Sequence, residues 1–152
     1  MYFTYSTLFG NITILSDGTS ITGIKPEQYL ASAGEKRSTS LTDLAAAQLE
    51  EYFQGKRKEF DFPLDPKGTD FQRSVWKALQ EIPYGETQTY SFVARAIGNP
   101  KACRAVGMAN NKNPIWIVIP CHRVVGANGS LTGYGGGLDM KQRLLDLEKN
   151  TP

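Results

Sequence analysis

The N-terminal part of the chain alternates apolar and polar positions in short runs separated by turn-forming residues. The runs are MYFTYSTLF, NITILSDG and TSITGI, and they are rich in threonine, isoleucine, tyrosine and phenylalanine. Gly10 and the sequence Ser16-Asp17-Gly18 interrupt them. Short β-prone runs bounded by such residues are typical of antiparallel hairpins. The pattern therefore predicts a small antiparallel sheet at the start of the chain.

After residue 40 the apolar positions adopt the spacing of a helix. The segment LTDLAAAQLEEYFQGKR is apolar at positions 41, 44, 45, 49, 52 and 53, and Gly55 with the basic residues after it suits a helix C-terminus. The following KEFDFPLDPKG contains Pro63, Pro66 and Gly68, which is typical of a linker. We therefore expect two domains, residues 1–66 and residues 67–152.

The second half of the chain begins with a helix whose start is marked by capping residues. In TDFQRSVWKALQEIP, Thr69 and Gln72 have the spacing of a capping box. Phe71, Val75 and Leu79 follow at intervals of four and form one apolar stripe. The pattern predicts an amphipathic helix packed on a core.

The next segment predicts two short helices joined by a tight turn. In TYSFVARAIGNPKACRAVGMANNKNP, a helix over about 90–97 meets Gly98, and Asn99 with Pro100 suits the N-cap and first position of a second helix. One face of that second helix would carry the small apolar residues Ala102, Val106 and Ala109 and pack inward. The other face would present Lys101, Arg104 and Met108 to solvent. This arrangement suggests a helix-turn-helix. DNA binding and a purely structural helix pair both remain open on the pattern alone.

The segment NPIWIVIP is apolar on both faces if it is extended. Ile115, Ile117 and Ile119 would lie on one face, with Trp116 and Val118 on the other. Such a pattern predicts a strand buried on both sides. Pro120 would end regular pairing and leave the residues after it in a turn at the edge of the core.

Composition narrows the class of protein. The 152 residues are 40% hydrophobic and contain two cysteines and one histidine. Two cysteines are too few for a disulfide framework, and two cysteines with one histidine are too few for a four-ligand zinc site. No signal segment and no run of about 18 apolar residues is visible. We therefore expect a cytoplasmic protein without metal or membrane span.

Charge is unevenly divided between the two halves. Residues 1–70 hold seven Lys and Arg against ten Asp and Glu, whereas residues 71–152 hold ten against five. A stretch of the second half without any acidic residue contains Arg95, Lys101, Arg104, Lys112 and Arg123. A basic face of this kind suits a polyanion such as nucleic acid, although a solvated basic surface gives the same pattern.

The turn after Pro120 holds the chain's candidate chemistry. Cys121 is followed directly by His122, the only histidine of the chain. A buried thiol needs a base to form a thiolate, and a histidine base usually needs an orienting partner. In LDMKQRLLDLEK, Glu148 lies one turn beyond Leu144 and could point inward, or it could be a solvated residue of a frayed C-terminal helix.

Four stretches of the sequence resemble a known family. They are FQRSVW (71–76), IPYGETQTYSFVARAIGNPKACRAVGMA (82–109), NPI (113–115) and IPCHRVVGANGSLTGYGGGLDMKQRLLDLE (119–148). This combination closely resembles the 6-O-alkylguanine-DNA alkyltransferases, also called methylated-DNA-protein-cysteine methyltransferases. The resemblance covers the C-terminal half, and the N-terminal half agrees more loosely.

The resemblance implies a role for each matching residue. Cys121 matches the alkyl acceptor, His122 the base that acts through a water, Glu148 the carboxylate that orients the imidazole, and Asn113 the asparagine that ties the active-site turn to the helix-turn-helix. The residues expected to contact DNA are Tyr90, Ser91, Arg95, Lys101, Arg104 and Arg123, with Arg104 filling the gap left by a flipped base. Tyr90 is also expected to act in catalysis by helping to protonate the departing guanine. The residues expected to line the substrate pocket are Asn110, Val124, Tyr134, Gly135 and Gly136.

The fold and activity implied by the resemblance are also specific. The fold would be α/β (α+β), with a small RNase H-like β-sheet domain carrying a helix, followed by a mostly helical domain with a winged helix-turn-helix-like motif. The activity would be irreversible, stoichiometric transfer of the alkyl group from 6-O-alkylguanine in duplex DNA to Cys121 by base flipping, without a cofactor. We expect a monomer; alkylated thymine as a substrate and cooperative DNA binding stay open. A cysteine hydrolase using Cys121, His122 and Glu148, or a non-enzymatic lesion-binding relative, are the alternatives.

Overall fold

The computed structural model describes residues 1–26, 34–131 and 137–151. The chain divides into two compact units. The first comprises Met1–Lys67 together with Pro114–Trp116, and the second comprises Gly68–Asn113 together with Ile117–Pro152. A three-residue segment from the second half of the sequence therefore belongs to the N-terminal unit.

The first unit contains the antiparallel sheet that the sequence predicts, with one helix. Its elements are β1 (Tyr2–Thr7), β2 (Gly10–Ser16), β3 (Ile21–Pro26) and α1 (Ser40–Phe53), and the strands pair in the order β1-β2-β3. Thr39 caps α1 through a reciprocal capping box with Thr42. Ile14, Leu49 and Tyr52 are fully buried, so the inner face of the sheet and the apolar face of α1 form one core.

The segment 114–116 extends this sheet by a single bridge. Ile115 pairs with Ile24 of β3, and the amide N–H of Ile24 donates to the carbonyl oxygen of Pro114 at 2.9 Å. The prediction of a continuous strand over NPIWIVIP is wrong, because Ile117 adopts a φ of 75° and the chain turns there. The prediction of burial is confirmed at Ile115, Ile117 and Ile119. A β-branched residue in the left-handed region is unusual and strained.

The second unit is mostly helical. Its elements are α2 (Asp70–Leu79), β4 (Gln88–Thr89), α3 (Tyr90–Ala96), α4 (Cys103–Asn111), β5 (Val124–Val125) and α5 (Leu138–Asn150), with a 3₁₀ turn over Cys121–Arg123 before β5. The predicted capping box of Thr69 and Gln72 is present at the start of α2. Trp76 of α2 is buried and donates its indole N–H to the carbonyl oxygen of Ala109 in α4 at 2.9 Å. This contact fixes α4 on the core of the unit.

The helix-turn-helix is present, but its second helix begins later than predicted. Gly98 has a φ of 78° and ends α3 as expected. Asn99 and Pro100 do not start α4; instead the amide N–H of Ala102 donates to the carbonyl oxygen of Asn99 at 3.0 Å. Proline suits the second position of such a turn as well as it suits the first position of a helix. Lys101 consequently lies before α4 and not on its face.

The helices in the described ranges include none that combines the length and the apolar character required to cross a lipid bilayer.

Candidate active site

Cys121 lies in a turn inside the second unit, as the sequence predicts. The amide N–H of Cys121 donates to the carbonyl oxygen of Ile119 at 2.8 Å, and that of Arg123 donates to Pro120 at 3.0 Å. Cys121 is 2% exposed and His122 is fully buried. The turn therefore holds a thiol and an imidazole side by side in the interior.

Two asparagines hold this turn, one in the last turn of α4 and one just after its C-cap. The Asn113 side chain donates to the carbonyl oxygen of Ile119 at 2.8 Å and also hydrogen-bonds to the thiol of Cys121. The Asn110 side chain donates to the carbonyl oxygen of Cys121 at 3.4 Å. Asn110 is 2% exposed, and its Oδ1 has no hydrogen-bond partner among the described residues. An unsatisfied buried acceptor is costly, so Asn110 has a reason for its presence other than stability.

The buried surroundings of Cys121 favour the neutral thiol. Burial raises the pKa of Cys121 to about 11, although the hydrogen bond from Asn113 and the positive charge of Lys141 act in the opposite direction. At neutral pH the resting side chain is therefore a thiol, and its proton must leave when it reacts.

His122 is arranged to accept a proton. Its Nε2 lies 2.7 Å from Oε2 of Glu148. Because an ionised carboxylate only accepts hydrogen bonds, Nε2 carries the proton and Nδ1 presents a lone pair. That Nδ1 is buried without a hydrogen-bond partner in the part of the chain that the structure describes. Burial lowers the pKa of His122, and the hydrogen bond and charge of Glu148 only partly oppose this.

Glu148 points inward, so the solvated alternative is wrong. Glu148 is 3% exposed, and its carboxylate accepts hydrogen bonds from His122, from Arg123 and, at 3.1 Å, from the amide N–H of Gly85. Burial alone would raise its pKa, but the hydrogen bonds from His122 and Arg123 outweigh burial and hold the pKa of Glu148 well below its usual range. The carboxylate is therefore ionised at any pH near neutral.

The expectation that Arg123 contacts DNA does not fit the structure. The side chain is buried, and its Nε and Nη2 donate to the two oxygens of Glu148 at 2.8 and 2.9 Å. Its Nη1 donates to the carbonyl oxygen of Ile82 at 2.7 Å, and the guanidinium lies 5.6 Å from the ring centre of Tyr84. All three donor nitrogens are thus turned into the protein, away from any external phosphate.

Lys141 is a residue of this site that the sequence interpretation missed. It is fully buried, and its Nζ donates to the carbonyl oxygen of Val124 at 2.6 Å. Its charge also lowers the pKa of Cys121, against the effect of burial. The signal was available, because Lys141, Leu144 and Glu148 have the i, i+3, i+7 spacing of a single helix face.

Three of the predicted DNA-contacting residues meet at a shallow cavity on the helix-turn-helix. Tyr90 and Ser91 of α3 and Arg104 of α4 line a cavity of about 400 Å³ together with Thr89, Cys103, Gly107 and Ala127. Arg104 is exposed, and the hydroxyl of Ser91 lies 3.2 Å from the thiol of Cys103. Arg95 and Lys101 are also exposed but do not line this cavity.

The predicted substrate-pocket residues are only partly within the described structure. Val124 is buried at the start of β5, directly after the active-site turn, and Asn110 contacts Cys121 as described above. Tyr134, Gly135 and Gly136 lie outside the described residues.

Comparison with known families gives two matches that together span most of the chain. Residues 1–66 match the model described as 6-O-methylguanine DNA methyltransferase, ribonuclease-like domain. Residues 70–150 match the model described as 6-O-methylguanine DNA methyltransferase, DNA binding domain.

Individual proteins and solved structures agree with these matches. A methylated-DNA–protein-cysteine methyltransferase of Methanosarcina acetivorans is 66% identical over 104 residues, which are 68% of this chain and 67% of the relative. One from Mycobacterium bovis is 48% identical over 155 residues, covering 98% and 92%. The crystal structure of Mycobacterium tuberculosis OGT in complex with DNA superposes with a TM-score of 0.93 at 47% identity, covering 99% of this chain and 93% of that one.

Proposed function

The chain belongs to the 6-O-methylguanine DNA methyltransferase family, and from this premise we propose that it repairs DNA by moving the alkyl group of 6-O-alkylguanine onto Cys121. The observation that carries the assignment to this residue is the buried arrangement of its thiol beside His122, with Glu148 2.7 Å from the imidazole. The acceptor sulfur, a neutral base and an ionised orienting group are then present in one place.

The proposed reaction is a direct displacement at carbon. His122 accepts the thiol proton at Nδ1 through a water molecule, and Glu148 stabilises the imidazolium that results. The thiolate sulfur forms a bond to the alkyl carbon while the bond from that carbon to guanine O6 breaks and the electron pair leaves with the base. Tyr90 donates a proton to the departing guanine and regains a proton from the His122 imidazolium through solvent. The product is a thioether that no group of the site can cleave, so each molecule acts once and needs no cofactor.

Double-stranded DNA is the proposed partner. The exposed cations Arg95, Lys101 and Arg104 would contact the backbone together with Ser91, and Arg104 would fill the place of the flipped nucleotide. The shallow cavity between α3 and α4 supports this, because it brings the basic Arg104 next to Tyr90. Binding of this kind depends on the DNA backbone and on ease of base extrusion, so little sequence preference is expected.

Other parts of the proposal concern the pocket and the state of the protein. Val124 and Asn110 would contact the flipped base with Tyr134, Gly135 and Gly136, and residues 67–152 would carry out the transfer. We propose a monomer and a reducing cytoplasm, where free thiols such as Cys121 and Cys103 persist.

Intact-mass measurement after mixing with duplex DNA that carries 6-O-methylguanine tests the proposal. We expect one methyl group per molecule, located on Cys121 by peptide mapping, and none in the Cys121→Ser variant. Cys103→Ala is the matched control and should be labelled fully. Repeated turnover without a mass change would point to a hydrolase, and a methyl group on Cys103 would make Cys103 the acceptor in place of Cys121.

A further inference from the structure

The carboxylate of Glu148 is shared between a base and a permanent cation. Its Oε2 faces His122 Nε2 at 2.7 Å and also accepts from Arg123 Nη2 at 2.9 Å, while Oε1 accepts from Arg123 Nε at 2.8 Å. The arginine thus binds the carboxylate through a two-point fork, a geometry that fixes orientation as well as charge. The imidazole approaches a carboxylate that is already half of an ion pair.

This sharing changes what the carboxylate does to the imidazole. An unpaired buried carboxylate would strongly favour the imidazolium, because an opposite charge within about 4–6 Å raises the pKa of a histidine. Once that charge is balanced by a guanidinium, protonation of the imidazole would place an additional, uncompensated positive charge in a buried site. The carboxylate can therefore hold the ring by its hydrogen bond while favouring the imidazolium much less.

The other charged groups around His122 act in the same direction. On α5 the groups that act on the imidazole are Glu148 and Lys141, and on the turn itself Arg123 acts on it, with Cys121 as the preceding residue of the chain. The second element packed against the turn, α2, presents Val75, Trp76 and Leu79 to the interior, whereas its charged residues Asp70, Arg73 and Lys77 are exposed. With Cys121 neutral, two cations and one anion surround the ring, so this environment disfavours a third positive charge.

We propose that Arg123 is a positioning residue that compensates Glu148 and so keeps His122 neutral and ready to accept the proton of Cys121 at physiological pH. Only one part of this role, the acceptance of the Cys121 proton by His122, rests on the proposed function. It also explains why Arg123, two residues after Cys121, is buried and turned away from the surface, where a DNA contact would need it.

The single histidine of the chain makes the first test unambiguous. The imidazole signals in an NMR titration of the free protein report His122 alone. In Arg123→Met the titration midpoint should rise by about one pH unit or more, because the carboxylate is left unbalanced. In Arg123→Lys, which restores the charge without the fork, the rise should be smaller. A midpoint that is unchanged in a folded variant, as judged by circular dichroism, overturns the proposal.

Arg57→Met is the matched control for this titration. Arg57 also pairs with a glutamate, at 3.1 Å from Glu51, but the pair is on the surface of the other unit. Its loss should leave the His122 midpoint unchanged. If Arg123→Met does not fold, the Lys variant alone decides: a raised midpoint supports the proposal and an unchanged one contradicts it.

Transfer kinetics separate a positioning role from a merely structural one. In Arg123→Lys, single-turnover transfer from free benzylguanine should slow at acidic pH. The acid limb of the pH–rate profile should move to higher pH by the same number of units as the NMR midpoint. A rate reduced equally at every pH would overturn the positioning role. A displaced NMR midpoint with no pH dependence of transfer would leave the arginine–histidine coupling intact and would instead reject His122 as the base.

Affinity for undamaged duplex DNA distinguishes this role from a DNA contact. Arg123→Lys and wild type should bind such a duplex equally, within about twofold. A large loss of affinity with an unchanged His122 midpoint would restore Arg123 to the DNA-binding surface and overturn the proposal.

Discussion

His122 is the residue on which the proposed chemistry depends most, because a thiol with a pKa of about 11 is inert at neutral pH. In His122→Gln the transfer rate at pH 7 should fall by roughly 10²–10⁴-fold, the range expected for loss of a general base. The rate should then climb steadily with pH as hydroxide replaces the missing base. Single-turnover alkylation between pH 6 and 10 measures this. A wild-type rate at pH 7 in the folded variant would show that another group activates Cys121.

Asn110 offers a test of whether a residue is present for function at the expense of stability. Asn110→Leu removes a buried oxygen without a described partner and a long hydrogen bond of 3.4 Å, and it keeps the number and branching of the side-chain heavy atoms. The free energy of unfolding should therefore change by less than about 1 kcal/mol. Transfer from benzylguanine should slow at least tenfold if Oδ1 contacts the base. Denaturant unfolding and single-turnover kinetics check the two halves, and unchanged transfer would remove Asn110 from the pocket.

Single residues were predictable where chemistry restricts the choice. One cysteine behind a proline and one histidine made the Cys121–His122 pair identifiable, whereas helical spacing put Glu148 one turn beyond Leu144 and left its inward and solvated orientations both open. Arg123 could not be placed in the same way, because its neighbours Ile82 and Tyr84 are about forty residues away in sequence and local spacing carries no information about them. Basic residues that precede and follow Cys121 in the sequence show the same local pattern, and only the fold shows which of them is buried.

At the scale of elements, α3 and α4 form the surface on which DNA binding can be tested apart from chemistry. Arg104→Ala should slow repair of duplex DNA by at least tenfold and transfer from free benzylguanine by less than about twofold, because the small substrate needs no base flipping. Lys112→Ala is the matched control, since this exposed cation at the C-cap of α4 does not line the cavity. Equal slowing on both substrates would argue against a role of Arg104 in base flipping.

Elements were predictable where one local signal dominated. The hairpins and the capped α2 follow from alternation and from the Thr69–Gln72 box. The start of α4 was misplaced because proline serves a turn as readily as a helix start. The strand over NPIWIVIP was wrongly predicted because Ile117 adopts a left-handed φ that no isoleucine favours. In both places the rest of the fold overrides the local preference.

At the scale of the whole molecule, the buried site should make stability depend on pH in two directions. His122 and Glu148 have lowered pKa values, so the unfolded chain binds more protons and stability falls as pH drops below about 6.5 and further below about 4.5. Cys121 has a raised pKa, so the folded chain binds more protons and stability falls as pH rises from 9 towards 11. Urea unfolding across this range should show both limbs.

Cys121→Ala isolates the alkaline limb of that profile. Alanine cannot ionise, so the decline between pH 9 and 11 should become shallower, while the acid limb stays as in wild type. An alkaline limb of unchanged steepness would mean that the thiol is not the group responsible for it.

The two units also differ in how far the sequence determined them. A boundary near residue 67 follows from Pro63, Pro66 and Gly68 and from the change in charge, and the chain divides after Lys67. The membership of 114–116 in the first unit was not predictable, because a single bridge between Ile115 and Ile24 leaves no periodic signal in the sequence.

The acceptor thiol of Cys121, which is buried at 2% exposure, limits how many lesions a population of these molecules can repair. Water and thiols do not cleave the carbon–sulfur bond of a dialkyl thioether, so a copy that has been alkylated at Cys121 does not regain its free thiol. Removal of damage then follows a titration curve: lesions fewer than the unmodified copies disappear, and lesions beyond that number persist until new chains are made. Copy number, rather than a turnover rate, is the quantity that sets the protection such a protein provides.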